Sequence, residues 1–296
     1  MTSTNRLDHI VHLAPPASVQ ETSELFRELG FTVLTGGTHE DGLTANALVV
    51  FPTGSYFELI SFTEPISAYP PGSPERKKRD NHRWAKNQPG WVDYGFLGNG
   101  SQTERISDII NTRAAKNGYT NPLYDPEFHG GRKNPDGETL EWLITSANTK
   151  SGSEYWKMLP FFCGDITPRR LRVPMDPPSN TQHQNAAVGL AHIRLLALRD
   201  SVPAVSRQLT YVVGNEPNLV GSSLGPTYSW DIDTGDDALP CRLILGRPEN
   251  NEEEEFLKAA VGVPLFEIGF WVKGRPSSDS VMTPYAKIVW VTKEGA

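Results

Sequence analysis

Apolar residues along this chain recur in short runs of strand length, broken by glycine and proline. Residues 7–13, Leu-Asp-His-Ile-Val-His-Leu, form the first such run and predict a strand. Side chains alternate between the two faces of a strand, so His9 points opposite to Ile10 and His12. One of the two histidines should face a sheet concavity and the other the opposite surface. Ser18 followed by Glu21 has capping-box spacing and predicts a helix start. Leu25, Phe26 and Leu29 supply the apolar stripe of that helix, and Gly30 ends it. Residues 31–34 read as a short strand and 35–44 as a loop. Residues 45–51 and 55–62 read as strands joined by a hairpin-like Pro-Thr-Gly turn. The predicted order is β-α-β-β-β.

A basic, poorly periodic stretch, 69–90, reads as a linker or long loop. The same order then returns. Residues 90–97 predict a strand. Ser101 and Glu104 repeat the capping-box spacing before a helix carrying Ile106, Ile109, Ile110 and Ala114, which Gly118 ends. Residues 138–146 predict a closing strand. Gly54 precedes Glu58 by four residues and Gly137 precedes Glu141 by four, in Gly-Ser-Tyr-Phe-Glu and Gly-Glu-Thr-Leu-Glu. The loops Gly36-Gly37-Thr38-His39 and Gly130-Gly131-Arg132-Lys133 fall in corresponding places. These registers predict that Glu58 and Glu141 occupy equivalent positions.

A third unit reads as less complete. His192 precedes Ser201 by nine residues, as His9 precedes Ser18. A helix with Val205, Leu209, Val212 and Val213 ends at Gly214, and strands are predicted at 227–233 and 242–246, with no counterpart of Glu58. A charged helix (252–260) and strands at 264–272 and 286–291 complete the pattern. The fold expected is α+β: paired βαβββ units at 5–64 and 90–147 within residues 1–165, forming a cupped mixed sheet. A proline-rich connection (166–185) leads to a C-terminal α+β unit at 186–296.

Charge and composition narrow the function classes. The chain has 296 residues, 38% of them hydrophobic, and a net charge of −7. An acidic chain whose basic residues cluster only at Arg76–Arg79 is a poor nucleic-acid binder. Two cysteines, Cys163 and Cys241, make neither a disulfide framework nor a zinc spacing. The N-terminus lacks a signal-peptide apolar core, and no apolar run reaches the roughly 20 residues of a membrane helix. These features predict a soluble cytoplasmic protein with a small-molecule substrate and neither nucleic acid nor membrane as partner. A homodimer is left open.

Repeated βαβββ units with His on the first strand and Glu on the last resemble the vicinal oxygen chelate superfamily. The segments Leu-Asp-His-Ile-Val-His-Leu, Gly-Gly-Thr-His followed by Thr44-Ala45-Asn46, and Tyr56-Phe57-Glu58-Leu59 resemble the glyoxalase-like domain family within it. The resemblance covers about residues 6–200 and includes Asp136-Gly137-Glu138 and Leu159-Pro160-Phe161-Phe162. It implies paired units around a concave site, where many members of the superfamily bind a divalent metal.

Imidazole and carboxylate ligands with open positions suit such a metal. His9 and Glu58 are the first two candidate ligands. If the first two units pair, Glu141 sits symmetrically to Glu58, with Tyr94 or Asp93 in the place of His9. If the first and third pair, His192 completes the set. Glu58 is the candidate base, His39 a second acid or base or else a plain loop histidine, and His9 an orienting group or ligand. Asn46 is expected to orient a substrate carbonyl or satisfy a backbone group. Trp84, Trp91 and Trp142 line a pocket or pack in the core. Arg169, Arg170 and Arg172 meet an anionic substrate or form a solvated loop edge, the second being favoured. The activity these residues suggest is that of an isomerase, a lyase or a ring-modifying enzyme working through an enolate-like intermediate. An extradiol-type ring-cleaving dioxygenase, with iron on His9, His192 and Glu58, is a competing reading. A small-molecule binding protein without turnover is another.

Overall fold

A computed structural model describes residues 2–134, 136–150, 155–222, 225–236, 239–260, 264–274 and 279–292. The first unit runs β1 (Leu7–Leu13), α1 (Val19–Glu28), β2 (Leu34–Thr38), β3 (Thr44–Val50), β4 (Tyr56–Phe62). Strand β4 lies parallel to β1, and β3 runs antiparallel to both β2 and β4. After α2 (Pro74–Asp80) the second unit repeats this topology with β5 (Gly90–Leu97), α3 (Ile106–Lys116), β6 (Phe128–Lys133), β7 (Thr139–Thr145) and β8 (Phe161–Asp165). Here β8 lies parallel to β5. The units join through antiparallel β1 and β5 into one eight-stranded sheet, ordered β2-β3-β4-β1-β5-β8-β7-β6. Its two outer edges meet again. His39 and Arg132 form an antiparallel bridge, and the Glu40 amide donates to the Gly131 carbonyl at 3.2 Å. The result is a nearly closed cup.

The C-terminal part forms a second mixed sheet. After α4 (Arg169–Arg172) come β9 (Ala187–Leu196), α5 (Val202–Val213), β10 (Asn218–Ser222), β11 (Gly225–Ile232) and β12 (Cys241–Gly246). These make a third βαβββ unit, with β12 parallel to β9. Helix α6 (Asn251–Ala259) and strands β13 (Leu265–Val272), β14 (Asp279–Met282) and β15 (Lys287–Thr292) follow, and the sheet order is β10-β11-β12-β9-β13-β15-β14. The incomplete part of the pattern is thus the last group of strands, after a full third unit.

The main core lies between the two sheets. Phe26, Phe31, Phe57 and Trp91 from the first half meet Phe270 and Trp290 from the second, with Phe31 and Phe270 centroids 5.4 Å apart. Burying each such side chain contributes about 1.5–3 kcal/mol. His12 belongs to this layer. It is fully buried, packs edge-on to Phe26 and Trp91, and neither ring nitrogen has a hydrogen-bond partner among the described residues. Burial pushes its pKa down to about 3. Burial also takes His82 and His183 down to about 4 each. The unfolded chain therefore binds protons below about pH 6.5 that the folded chain refuses, and stability falls as pH drops from there towards 4. We expect the urea midpoint to drop between pH 7 and pH 5, and to drop less in His12→Leu. An identical pH dependence in the variant would assign the effect elsewhere.

Several local expectations change. Ser18 does not cap α1 through its side chain; its hydroxyl donates to the Pro15 carbonyl at 2.7 Å. Helix α3 starts after Arg105, and Glu127 accepts from its Ser107 amide at 3.1 Å. The Gly-Gly segments read as loops are strands β2 and β6. Glycine is a poor strand former, but here the bare backbone permits close approach. A Cβ at Gly36 would lie 2.0 Å from Asn46 Oδ1, and one at Gly37 2.7 Å from the Lys133 carbonyl oxygen. Strand β8 extends the second unit beyond residue 147. Consequently Glu141 lies on β7, the third strand of its unit, whereas Glu58 lies on β4, the fourth. The two glutamates are not equivalent, because Gly54 turns between β3 and β4 and Gly137 between β6 and β7.

Candidate active site

The cup of the first sheet encloses a cavity of about 640 Å³. Strand alternation supplies its walls. On β3, Thr44, Asn46 and Leu48 face it, and on β4, Tyr56 and Glu58 do. His9 comes from β1, and Trp142 and Ile144 from β7. Residues 82–84, read as part of a linker, also line it.

The Thr-x-Asn pair on β3 organises the acid–base groups. Thr44 Oγ1 lies 2.8 Å from His39 Nδ1. Asn46 donates from Nδ2 to Glu58 Oε1 at 2.5 Å and accepts the Gly37 amide at 2.9 Å. His39 Nε2 then stands 3.7 Å from Glu58 Oε1. Glu58 is 6% exposed, so this carboxylate works in a largely desolvated setting.

Beneath His9 lies a buried ionic cluster. Asp8 Oδ2 contacts His9 Nδ1 at 2.7 Å and Arg172 Nη1 at 2.7 Å, while Asp8 Oδ1 contacts Arg169 Nη1 at 2.6 Å. Arg172 also donates from Nε to Asp165 Oδ1 at 2.5 Å and from Nη1 to the Tyr56 hydroxyl at 2.8 Å. Burial would raise the Asp8 pKa, but Arg172 and Arg169 outweigh it and hold the carboxyl well below its usual range. Burial opposes the charge on Arg172 too; Asp8 and other neighbours reverse that and raise its pKa. The Asp8 carboxylate therefore accepts from His9 Nδ1, which fixes the orientation of the imidazole and turns Nε2 away from Asp8. A register shift between Leu7 and His9 in the β1–β5 pairing accompanies this contact between neighbouring residues. His9 stacks on Tyr56 with centroids 4.7 Å apart, and Gly95 leaves room for its ring: a Cβ there would lie 2.8 Å from Cε1.

Residues 7–211 match the model of the glyoxalase-like domain. The chain belongs to the glyoxalase-like domain family. Among curated proteins, none matches it. A hypothetical protein from Staphylococcus aureus has a similar solved structure, at 12% identity, TM-score 0.64, covering 97% of this chain and 99% of that one. A mutant of 4-hydroxymandelate synthase from Streptomyces coelicolor is similar over 100% of this chain and 94% of that one, at 10% identity and TM-score 0.57. At these identities the likeness is one of fold.

In this glyoxalase-like domain protein the cavity brings together His9, His39, Asn46, Glu58 and Trp142. Three expected residues lie elsewhere. Trp91 packs between the sheets and donates from Nε1 to the Lys287 carbonyl at 3.0 Å. Glu141 is exposed on β7, because it alternates with the cavity-facing Trp142. His192 belongs to the second sheet, where Nε2 contacts Glu267 Oε1 at 3.2 Å. It cannot join His9 and Glu58, so neither the two-His-one-carboxylate set nor the iron site built on it forms. The favoured reading of Arg169 and Arg172 as a solvated edge also gives way to the ionic cluster; only Arg170 is exposed.

The vicinal oxygen chelate superfamily implies a divalent metal, which the donor set does not fit. Among the described residues no group of three or more His, Cys, Asp or Glu side chains converges on a point. Glu58 Oε1 is engaged by Asn46, and the second unit sets Gly95 opposite His9 and Leu97 opposite Cys163. Arg172 and Arg132 add two guanidiniums to the same cavity wall. No helix among the described residues is long and apolar enough to cross a membrane.

Arg132, Tyr56 and Asp165 also belong to the site, although no local pattern singles them out. The Gly-Gly-Arg-Lys segment signals Arg132 only through its correspondence to the loop that carries His39.

Proposed function

We propose that the cavity belongs to an enzyme that moves a proton on a small oxygenated organic molecule, as an isomerase or lyase working through an enolate-like intermediate. The observation that carries this reading is the approach of His39 Nε2 to within 3.7 Å of Glu58 Oε1 inside the cavity, with Glu58 held by Asn46. A carboxylate removed from water and held in one orientation suits a general base. Glu58 takes the proton from the carbon beside a carbonyl. The C–H electron pair moves into a C=C bond, and the carbonyl oxygen gains the negative charge. Protonated His39 donates from Nε2 to that oxygen, which stabilises the developing charge. Where the deprotonated carbon bears a hydroxyl, the hydroxyl proton passes to the enolate oxygen, the hydroxyl oxygen becomes the new carbonyl and Glu58 returns its proton to the former carbonyl carbon, which gives an isomer; where the next carbon along bears a leaving group, collapse of the enolate to the carbonyl expels that group with its bonding pair and gives a lyase product. His9, locked by Asp8, accepts from a substrate hydroxyl through Nε2 and orients it. Asn46 positions Glu58, and its side chain is committed to that task rather than to a substrate carbonyl.

The test is proton NMR in deuterium oxide on a panel of small carbonyl compounds with an exchangeable α-hydrogen. We expect enzyme-dependent loss of the α-proton signal for at least one compound, unchanged by a chelator because the donor set does not fit a metal. Tight binding of panel members with no exchange would replace this reading by that of a binding protein. Exchange abolished by chelator and restored by a divalent ion would overturn the metal-independent chemistry.

A further inference from the structure

Among the described residues the guanidinium of Arg132 forms no ion pair. Arg132 sits on β6 opposite Leu140, in a ladder where Gly130 faces Trp142 and Phe128 faces Ile144. Directly paired residues share a sheet face, and Trp142 and Ile144 line the cavity, so Arg132 faces it as well. It is 5% exposed. Its side chain makes one hydrogen bond, from Nη1 to the Lys133 carbonyl at 3.5 Å, and no ion pair among the described residues. The other two guanidiniums of the cavity differ. Arg172 is shared between Asp8 and Asp165, and Arg83 pairs with Asp93. Burial lowers the pKa of Arg132, against an opposing pull from Glu58. A guanidinium stays charged throughout the working pH range all the same. Burying such a charge without a partner is costly, and sites of this kind are completed by an anion.

We propose that Arg132 is the anion-binding subsite of this cavity, and that the natural ligand carries one carboxylate group. The proposal rests on the reading of the cavity as an enzyme site. The planar fork of a guanidinium matches a carboxylate through two parallel N–H···O bonds. One unpaired guanidinium balances one negative charge. A phosphate dianion would bring a second charge into a cavity that already contains Glu58, Glu40, Asp41 and Asp125. The rest of the ligand meets an apolar wall of Trp84, Trp142 and Phe161. The bridge between His39 and Arg132 at the closing edges of the sheet sets the anion subsite beside the acid–base pair. A carboxylate on Arg132 therefore delivers the remainder of the molecule to Glu58 and His39. A closed cup does this without a lid, because two strands from different units carry the two functions to one seam.

The experiment measures binding of a matched pair of probes, phenylacetate and phenylacetamide, by calorimetry. The pair differs in charge and little in shape. We expect the wild type to bind phenylacetate at least about tenfold more tightly than the amide, the scale of one charge-assisted contact. Arg132→Gln should erase the preference, and Arg132→Lys should retain part of it, since lysine keeps the charge but loses the fork. Circular dichroism and thermal melting of both variants exclude a general folding defect; if Arg132→Gln does not fold, Arg132→Lys carries the comparison through its weaker preference. Inorganic phosphate should not compete with phenylacetate. Equal binding of the two probes, no binding of either, a preference untouched by both substitutions, or displacement by phosphate would each overturn the proposal. Glu58→Gln separates the two readings. It should abolish proton exchange while leaving the preference for the acid intact, so failure of the exchange chemistry does not mimic failure of the anion subsite.

Discussion

Glu58→Gln is expected to lower turnover about a hundredfold or more, the usual scale for losing a general base. The substitution keeps size and hydrogen-bonding capacity. The amide oxygen of glutamine still accepts from Asn46 Nδ2, which bonds Glu58 Oε1 at 2.5 Å. Stability should therefore change by no more than about 1 kcal/mol. The rate falls because the amide has no basic site for a carbon-bound proton. The measurement is the rate of α-proton exchange beside the urea midpoint, wild type against variant. Full activity with a lowered midpoint would make Glu58 a structural residue and sink its role as base.

Arg172→Met should cost about 3–5 kcal/mol of folding stability, the range found when one member of a buried ionic group is removed. Arg172 is 4% exposed and holds Asp8, Asp165 and Tyr56 together. Without it Asp8, which is fully buried, retains Arg169 and His9 as its charged partners among the described residues. The pH dependence follows from the sign of the Asp8 shift. Its folded pKa lies well below the ordinary value of 3.8. The stability it contributes is therefore present above the unfolded pKa and lost as pH falls through the folded one. Removing Arg172 raises the folded pKa, so that the acid loss begins at higher pH. Asp8→Asn in the same chain should recover part of the deficit, since it removes the stranded charge. Urea unfolding at pH 7 and pH 4 on the two variants measures both effects. A loss below about 1 kcal/mol in Arg172→Met would show that water or Arg169 replaces the guanidinium at no great cost.

The sequence by itself determined the repeat, five strands of the cup (β1, β3, β4, β5 and β7) and the opposed directions of His9 and His12. Each of these depends on local periodicity, because strand alternation and turn chemistry act over a few residues. The segments that carry His39, Thr44, Asn46 and Glu58 stood out through their resemblance to the glyoxalase-like domain family, and the antiparallel pairing of β2, β3 and β4 within one unit brings them together. Tertiary structure decided what distance in sequence hides. Glu141 shares its local pattern with Glu58, yet it falls on a different strand of its unit, because identical turns occur at different hairpins. His192 has the spacing of His9 but sits in another sheet, where Glu267 meets it. Arg172 reaches back to Asp8 across 164 residues, and Arg132 meets His39 only where the sheet closes on itself. A charged side chain in a loop or a Gly-rich strand has the same sequence signature whether water or a buried carboxylate surrounds it. Burial and partners, which come from packing, determine whether that charge is solvated, neutralised or left waiting for a ligand.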